Sequence, residues 1–236
     1  ACIEELACDE PRSIQSGPFG SSLLHSEFTQ KGRLVIGIDN VRDGTFSIGS
    51  QNRIPEEKFG ELERYQARPL DVLITVMATV GRCCVVPADI ETAIITKHVY
   101  RISVEPQLVD PYYLMNALRG SEAVLEQMGA GIRGQTRPGI NGEILKALFV
   151  PLPPLEEQRE IVRLIDAATA SAVQAKSEAT RALALLDCLE QAILAKAFLG
   201  ELVPQDPHDE LATASLARLQ QPFKTARRRR AAAGSA

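Results

Sequence analysis

From Leu155 to Leu199 the chain runs for 45 residues without a proline or a glycine, and the stretch is rich in Ala, Leu, Glu, Gln and Arg. These are strong helix formers, so one unbroken helix is expected. Pro151, Pro153 and Pro154 stop whatever precedes it, and Gly200 stands where a glycine closes a helix. Within the stretch, Ile161, Ile165, Ala168, Ala172, Ala175, Ala179, Ala182, Leu186, Leu189 and Ile193 recur in alternating steps of four and three. That spacing is the a/d seam of a coiled coil. At ~1.5 Å per residue the helix would span roughly 66 Å, farther than a globule built from the rest could cover. An isolated helix would leave this seam in water, so it calls for a mate. The all-alanine middle requires that mate to approach closely.

The helix divides the chain into residues 1–153, a helical segment 154–203, and a polar tail 204–236, expected to be partly disordered, that contains Arg227–Arg230. The first part reads as a β-rich globule. Arg33–Asp39 is a strand, followed by a turn at Arg42-Asp43-Gly44 and a second short strand. The nearly continuous apolar run Asp71–Ala78 suggests a buried central strand. Arg82–Pro87, Ala93–Thr96 and Val99–Val104 continue an antiparallel or mixed sheet. Pro111–Leu118 and Ser121–Met128 read as helices, the first capped by Asp110 with proline in its first turn. Leu145–Val150 reads as a last short strand. With no Trp and 5% aromatics, the core must be mainly aliphatic. The fold class is therefore α+β: a β-rich globular domain followed by a long coiled-coil helix.

Several chemistries find no support. The histidines His25, His98 and His208 lie far apart, and the five cysteines Cys2, Cys8, Cys83, Cys84 and Cys188 read as free thiols, so no metal is expected. Cys83 and Cys84, adjacent in a strand, should point to opposite faces. Asp110-Pro111-Tyr112-Tyr113 resembles the Asp/Asn-Pro-Pro-Tyr loop of amino-methyltransferases but lacks the second proline. No glycine-rich turn for S-adenosylmethionine accompanies it. There is no phosphate loop and no Asp…Glu-x-Lys nuclease constellation; Glu143 and Lys146 read as a turn of amphipathic helix. Ser16–Ser22 is glycine-rich but reads as a structural turn. No apolar run is long enough to span a membrane, and no signal peptide is expected from the opening residues.

What remains points to nucleic acid. The net charge of -4 is not that of a typical DNA binder. The acids are segregated, however, around Glu156–Glu160 and Asp206–Glu210, and the field that matters is local. The glycine-rich segment Gly129–Gly139 holds Arg133, Gln135, Thr136 and Arg137 without an acid. Arg pairs with guanine or phosphate and Gln with adenine, which suits a groove-reading loop. Thr79, Arg82, Thr96, Lys97 and His98 fall at strand ends and form a candidate second DNA-binding edge. The bland alternative for both sets is exposed polar surface.

Pro151-Leu-Pro-Pro-Leu-Glu-Glu-Gln-Arg-Glu-Ile-Val162 and Leu189-Glu-Gln-Ala-Ile-Leu-Ala-Lys-Ala-Phe-Leu-Gly-Glu-Leu-Val203 strongly resemble the two ends of the long helix in Type I restriction-modification specificity subunits. Gly17-Pro-Phe-Gly-Ser21, Asp71-Val-Leu73 and Gly129–Asn141 are similar to that family's target-recognition domains. The resemblance spans roughly residues 14 to 210. It implies a non-catalytic subunit that reads double-stranded DNA in the prokaryotic cytoplasm and docks methyltransferase and restriction/translocase subunits. S-adenosylmethionine, ATP and Mg are then expected only on those partner subunits. In the family two recognition domains are spaced by two such helices packed antiparallel, whereas this sequence has one of each. The partner helix would come from a second copy in a homodimer or from a second specificity half. A stand-alone DNA-processing enzyme and a non-DNA-binding scaffold or inhibitor of the same complex are the alternatives.

Overall fold

The computed structural model describes residues 1–49, 52–132, 139–204, 206, 208 and 210–219. The chain falls into two compact units, Ala1–Thr169 and Ala170–Ala236. The first opens with a helical turn α1 (Ile3–Leu6) and β1 (Ile14–Ser16), then β2 (Arg33–Ile36), β3 (Val41–Arg42), β4 (Thr45–Phe46) and β5 (Arg53–Ile54). A helix α2 (Glu56–Leu62) leads to β6 (Gln66–Ala67), β7 (Val72–Thr75), β8 (Cys83–Val85), β9 (Ala93–Ile95) and β10 (Val99–Ile102). Helices α3 (Pro111–Gly120), α4 (Glu122–Ile132), α5 (Gly142–Ala147) and α6 (Leu155–Leu199) complete the order.

The single sheet expected from sequence is in fact two four-stranded sheets. One has the order β1-β10-β7-β8 with every pair antiparallel. The other has the order β5-β2-β9-β6, with β2 and β9 parallel. β3 and β4 form a hairpin closed by Asp43-Gly44, with Gly44 at a φ of 81°.

Side-chain alternation shows how the layers stack. From the first sheet, Val72, Ile74, Cys83 and Val85 join Ile3, Leu6, Leu114, Leu118, Val124 and Leu145 in one core under the helices. Leu73, Cys84 and Val86 point the other way and meet Leu34, Ile36, Ala93 and Ile95 of the second sheet. Val35 and Ile94 then face Phe59 and Leu62 of α2 on the far side. Helices, sheet, sheet and helix therefore lie in four layers. A strand buried on both faces has no polar alternation to display, which is why Asp71–Ala78 reads as a continuous apolar run. Cys83 and Cys84 do part to opposite faces, and burial pushes both thiols far up, Cys84 to about 12.

Leu145–Val150 is not a strand. Asn141 caps α5 by accepting from the backbone N–H of Ile144 at 2.8 Å. The helix takes Leu145 into the core, leaving Phe149 a single bridge to Cys2. Residues 212–219, expected within the polar tail, are helical.

The expected long helix is present with the bounds Leu155–Leu199. Its first turns pack with the globule, so the first compact unit continues past the prolines to Thr169. Gln158 is completely buried. Its Oε1 accepts from the Asp110 backbone N–H at 2.9 Å, and its Nε2 donates to the carbonyls of Leu108 at 3.0 Å and Pro153 at 2.9 Å. Asp110 in turn caps α3 through the N–H groups of Tyr112 and Tyr113. Ile161, expected in the partner seam, instead packs against the globule's own core beside Val162. Ile165 borders an apolar groove with Tyr113 and Pro151.

Candidate nucleic-acid interface

Strand register brings the separate candidate residues to one end of the first sheet. β7 ends where β10 begins, with Thr75 opposite Val99. The connection Val76–Arg82 therefore lies beside Thr96-Lys97-His98, and the Val76 N–H donates to the His98 carbonyl at 3.0 Å. The Ile140 N–H donates to the Val76 carbonyl at 3.1 Å, which ties the chain leaving the glycine-rich segment to the same edge. Arg133, Gln135, Thr136 and Arg137 themselves lie outside the described residues.

Ser16–Ser22 also comes to this edge, because β1 runs antiparallel to β10 with Ser16 opposite Tyr100. A Cβ on Gly17 would fall 2.1 Å from the Ile95 carbonyl oxygen and 2.4 Å from the Thr96 carbonyl carbon. Only glycine allows the two backbones to meet so closely. The adjoining Phe19 is left 62% exposed. From local sequence this segment reads as a turn; its close approach to Thr96 depends on contacts far apart in the chain.

The β7–β8 connection is held in one shape. Thr75 donates from its hydroxyl to the Thr79 carbonyl and accepts from the Arg82 N–H at 3.2 Å. Gly81 and Ala78 take left-handed backbone at φ of 88° and 63°. For alanine that conformation carries strain, which persists only where the surroundings impose it.

Two kinds of unmet interaction collect here. Arg82 and Lys97 are exposed, and neither forms an ion pair among the described residues. Thr79 Oγ1 and His98 Nδ1 are buried atoms without a hydrogen-bond partner. Burial, reinforced by the charge of Lys97, holds the His98 imidazole below its ordinary range. It is therefore neutral near pH 7 and carries one donor and one acceptor. Beside this edge a cavity of about 600 Å³ is lined by Gln15, Ser16, Tyr100 and Asn141, with Gln15 Oε1 also unpartnered. Nothing in local sequence marks Gln15; it is found through the pairing of β1 with β10.

The remainder of the seam is bare. Every residue from Asp166 to Leu199 is exposed, which includes Ala168, Ala172, Ala175, Ala179 and Ala182. Leu186, Leu189 and Ile193 are exposed by 60%, 55% and 45%. Among the described residues no cluster of His, Cys, Asp and Glu is placed to hold a metal ion, and no helix is long and apolar enough to cross a membrane.

Known proteins share this architecture. The specificity subunit of the Type I restriction enzyme EcoBI from Escherichia coli is 34% identical over 171 residues, covering 72% of this chain and 36% of that protein. The HsdS subunit from Thermoanaerobacter tengcongensis superposes with a TM-score of 0.55 at 25% identity, over 86% of this chain and 45% of that one. A chain from a structure addressing complex assembly and conformational transition of the type I R-M system superposes with a TM-score of 0.60 at 26% identity, over 83% of this chain and 48% of that one. This chain thus spans about a third of the curated relative and under half of the solved chains. The family model for the Type I restriction modification DNA specificity domain matches residues 24–180, which take in the whole second sheet, β7, β8 and β10 of the first, the edge at Thr79–His98 and the clamped start of α6, and the chain belongs to that family.

Proposed function

We propose that this chain reads a short stretch of double-stranded DNA at the Thr79–His98 edge, as the non-catalytic specificity component of a Type I restriction-modification complex. The observation that carries this is the gathering of unpaired cations and unpartnered polar atoms on loops fixed by the sheet. Arg82 and Lys97 would take phosphates and set the register on the duplex, while Thr79, His98 and the segment 133–138 would meet base edges. Any extrusion of a target base would fall to a methyltransferase partner, and S-adenosylmethionine, ATP and Mg to the methyltransferase and restriction subunits that this chain docks. Its place of action would be the prokaryotic cytoplasm, where the DNA lies.

The test is selection from a pool of random duplexes, followed by affinity against salt. One sequence should be enriched, and Arg82→Ala should lower affinity and reduce the salt slope by about one. Binding that is equal on all sequences would refute the reading.

The bare seam supports a second helix as partner, from another copy or a second specificity half. Reversed end to end, the seam matches itself: Ile165 faces Leu189, Ala172 faces Ala182 and Ala175 faces Ala179. In this register each a position meets a d position, the layering of antiparallel coiled coils. Small residues meet in the middle, Ala168 faces Leu186 next to them, and Ile165 faces Leu189 toward the ends.

A further inference from the structure

At the other end of the first sheet, away from Gly17, Val76–Arg82 and His98, the segments entering β1 and β7 enclose a cavity of about 380 Å³. Arg12, Arg64, Arg68 and Arg101 line it, with Glu63 among them. Four guanidiniums in one cavity are costly to assemble unless negative charge answers them.

Inside the protein the answer is incomplete. Glu10 holds Arg68 at 2.6 Å. Asp71 stands 3.8 Å from Arg101 but spends its oxygens on the Ser103 hydroxyl at 2.6 Å and the Arg68 backbone N–H at 2.7 Å. Arg101 is 4% exposed and donates to the carbonyls of Gln66 and Arg12. Its Nε–H is buried and has no acceptor. Burial lowers Arg101 from its usual range, so a further negative group nearby would favour its charged form. Arg12 is exposed and held at a left-handed φ of 67°, its carbonyl pinned by Arg101 at 3.2 Å. Arg64 lies over the Tyr65 ring at 4.7 Å. Among the described residues neither Arg12 nor Arg64 forms an ion pair.

We propose that this cavity is an oxyanion site, built for a phosphate group carried by inorganic phosphate or by a small phosphorylated molecule. Planar guanidinium forks match the oxygens of phosphate in pairs. Arg12 and Arg64 would supply the outer donors and Arg101 Nε the inner one. The site is independent of the DNA reading, because it lies at the opposite sheet end and uses none of the same residues.

The experiment is titration of the purified chain with sodium phosphate at constant ionic strength, exchanged against sodium chloride and followed by amide and guanidinium NMR shifts. A saturable response at Arg12, Arg64 and Arg101 is expected, and Arg12→Ala and Arg64→Ala should each weaken it about ten-fold or more. Both side chains are exposed, so the variants should keep the wild-type melting temperature without phosphate. Adenosine 5′-monophosphate distinguishes the sources. Tighter binding than phosphate assigns a nucleotide, and equal binding assigns the phosphate group alone. No saturable shift in the wild type, or a response undiminished in the double variant, overturns the site. A response confined to Arg82 and Lys97 overturns it equally, since it would place anion binding at the DNA edge.

Discussion

Replacing Gln158 by Met keeps the length of the side chain and removes all three of its hydrogen bonds, to Asp110, Leu108 and Pro153. The loss is unequal among the partners. Asp110 is half-buried and its amide N–H points at a fully buried side chain, whereas Leu108 is exposed and Pro153 half-buried, so water can replace part of what their carbonyls lose. Orphaning a buried donor costs about 1–3 kcal/mol, and a hydrogen bond surrendered to water about 0.5–1.5 kcal/mol. The variant should therefore lose about 2–6 kcal/mol, which for a domain of this size corresponds to a melting temperature lower by roughly 4–24 °C. Gln174→Met is the matched control, since Gln174 is exposed and its side chain donates to Glu178 one turn away; it should cost under about 0.5 kcal/mol. Urea unfolding measures both, and amide hydrogen exchange at Asp110 reports whether the α3 entrance has loosened. A Gln158→Met protein within about 0.5 kcal/mol of wild type, with Asp110 exchange unchanged, would refute the claim that this residue clamps the helix to the globular unit.

Gly17→Ala should destabilise by about 1–3 kcal/mol, because the added methyl meets the Ile95 and Thr96 backbone; DNA binding should fall further than the melting temperature alone accounts for. Ala175→Glu places a charge in the middle of the bare seam and should shift the solution mass toward that of a single chain by light scattering, with the melting of the globule unchanged. Since the His98 pKa is depressed in the folded chain, its contribution to stability is present above about pH 6.5 and is lost as pH falls toward the folded value. DNA phosphates would reverse that depression, so the imidazole titration followed by NMR should move upward on binding and affinity should rise between pH 7 and 6. A His98 midpoint that DNA leaves unchanged would remove this residue from the interface.

Local chemistry made some of this structure readable in advance. The bounds Leu155–Leu199, the Asp110 cap and the Asp43-Gly44 hairpin each depend on residues within a few positions of one another. The division into two sheets could not be read that way. Leu73 and Leu34 share one core, and Val72 joins Leu114 of α3 in another, yet Leu34, Val72 and Leu73 all belong to strands that read alike because each is covered on both faces. Leu145–Val150 misled for a related reason. Its apolar residues fit a short strand, and the deciding signal was Asn141 acting as a cap. Gln158 looked like one more polar residue on a helix, and the three groups that bury it come from Leu108, Asp110 and Pro153.

This division between what was readable and what was not follows the division of labour in the molecule. The Pro151–Val162 segment that resembles the family also anchors the helix: Gln158 and Ile161 are fixed by several partners in the globular unit, so substitution there is costly. Among the described residues Arg82 and Lys97 form no ion pair, and they stand on connections whose shape is set by Thr75, Gly81 and the Val76–His98 bond. Side chains at such positions can change without disturbing the layers beneath, so on the proposed reading the phosphate contacts can be altered while the fold stays intact. Exchanging Arg82 and Lys97 together for other polar residues should therefore leave the urea midpoint within about 0.5 kcal/mol of wild type and weaken binding to all duplexes alike, with a smaller salt slope and the same enriched sequence. A loss of stability in that variant would mean that reader and scaffold are not separable at this edge.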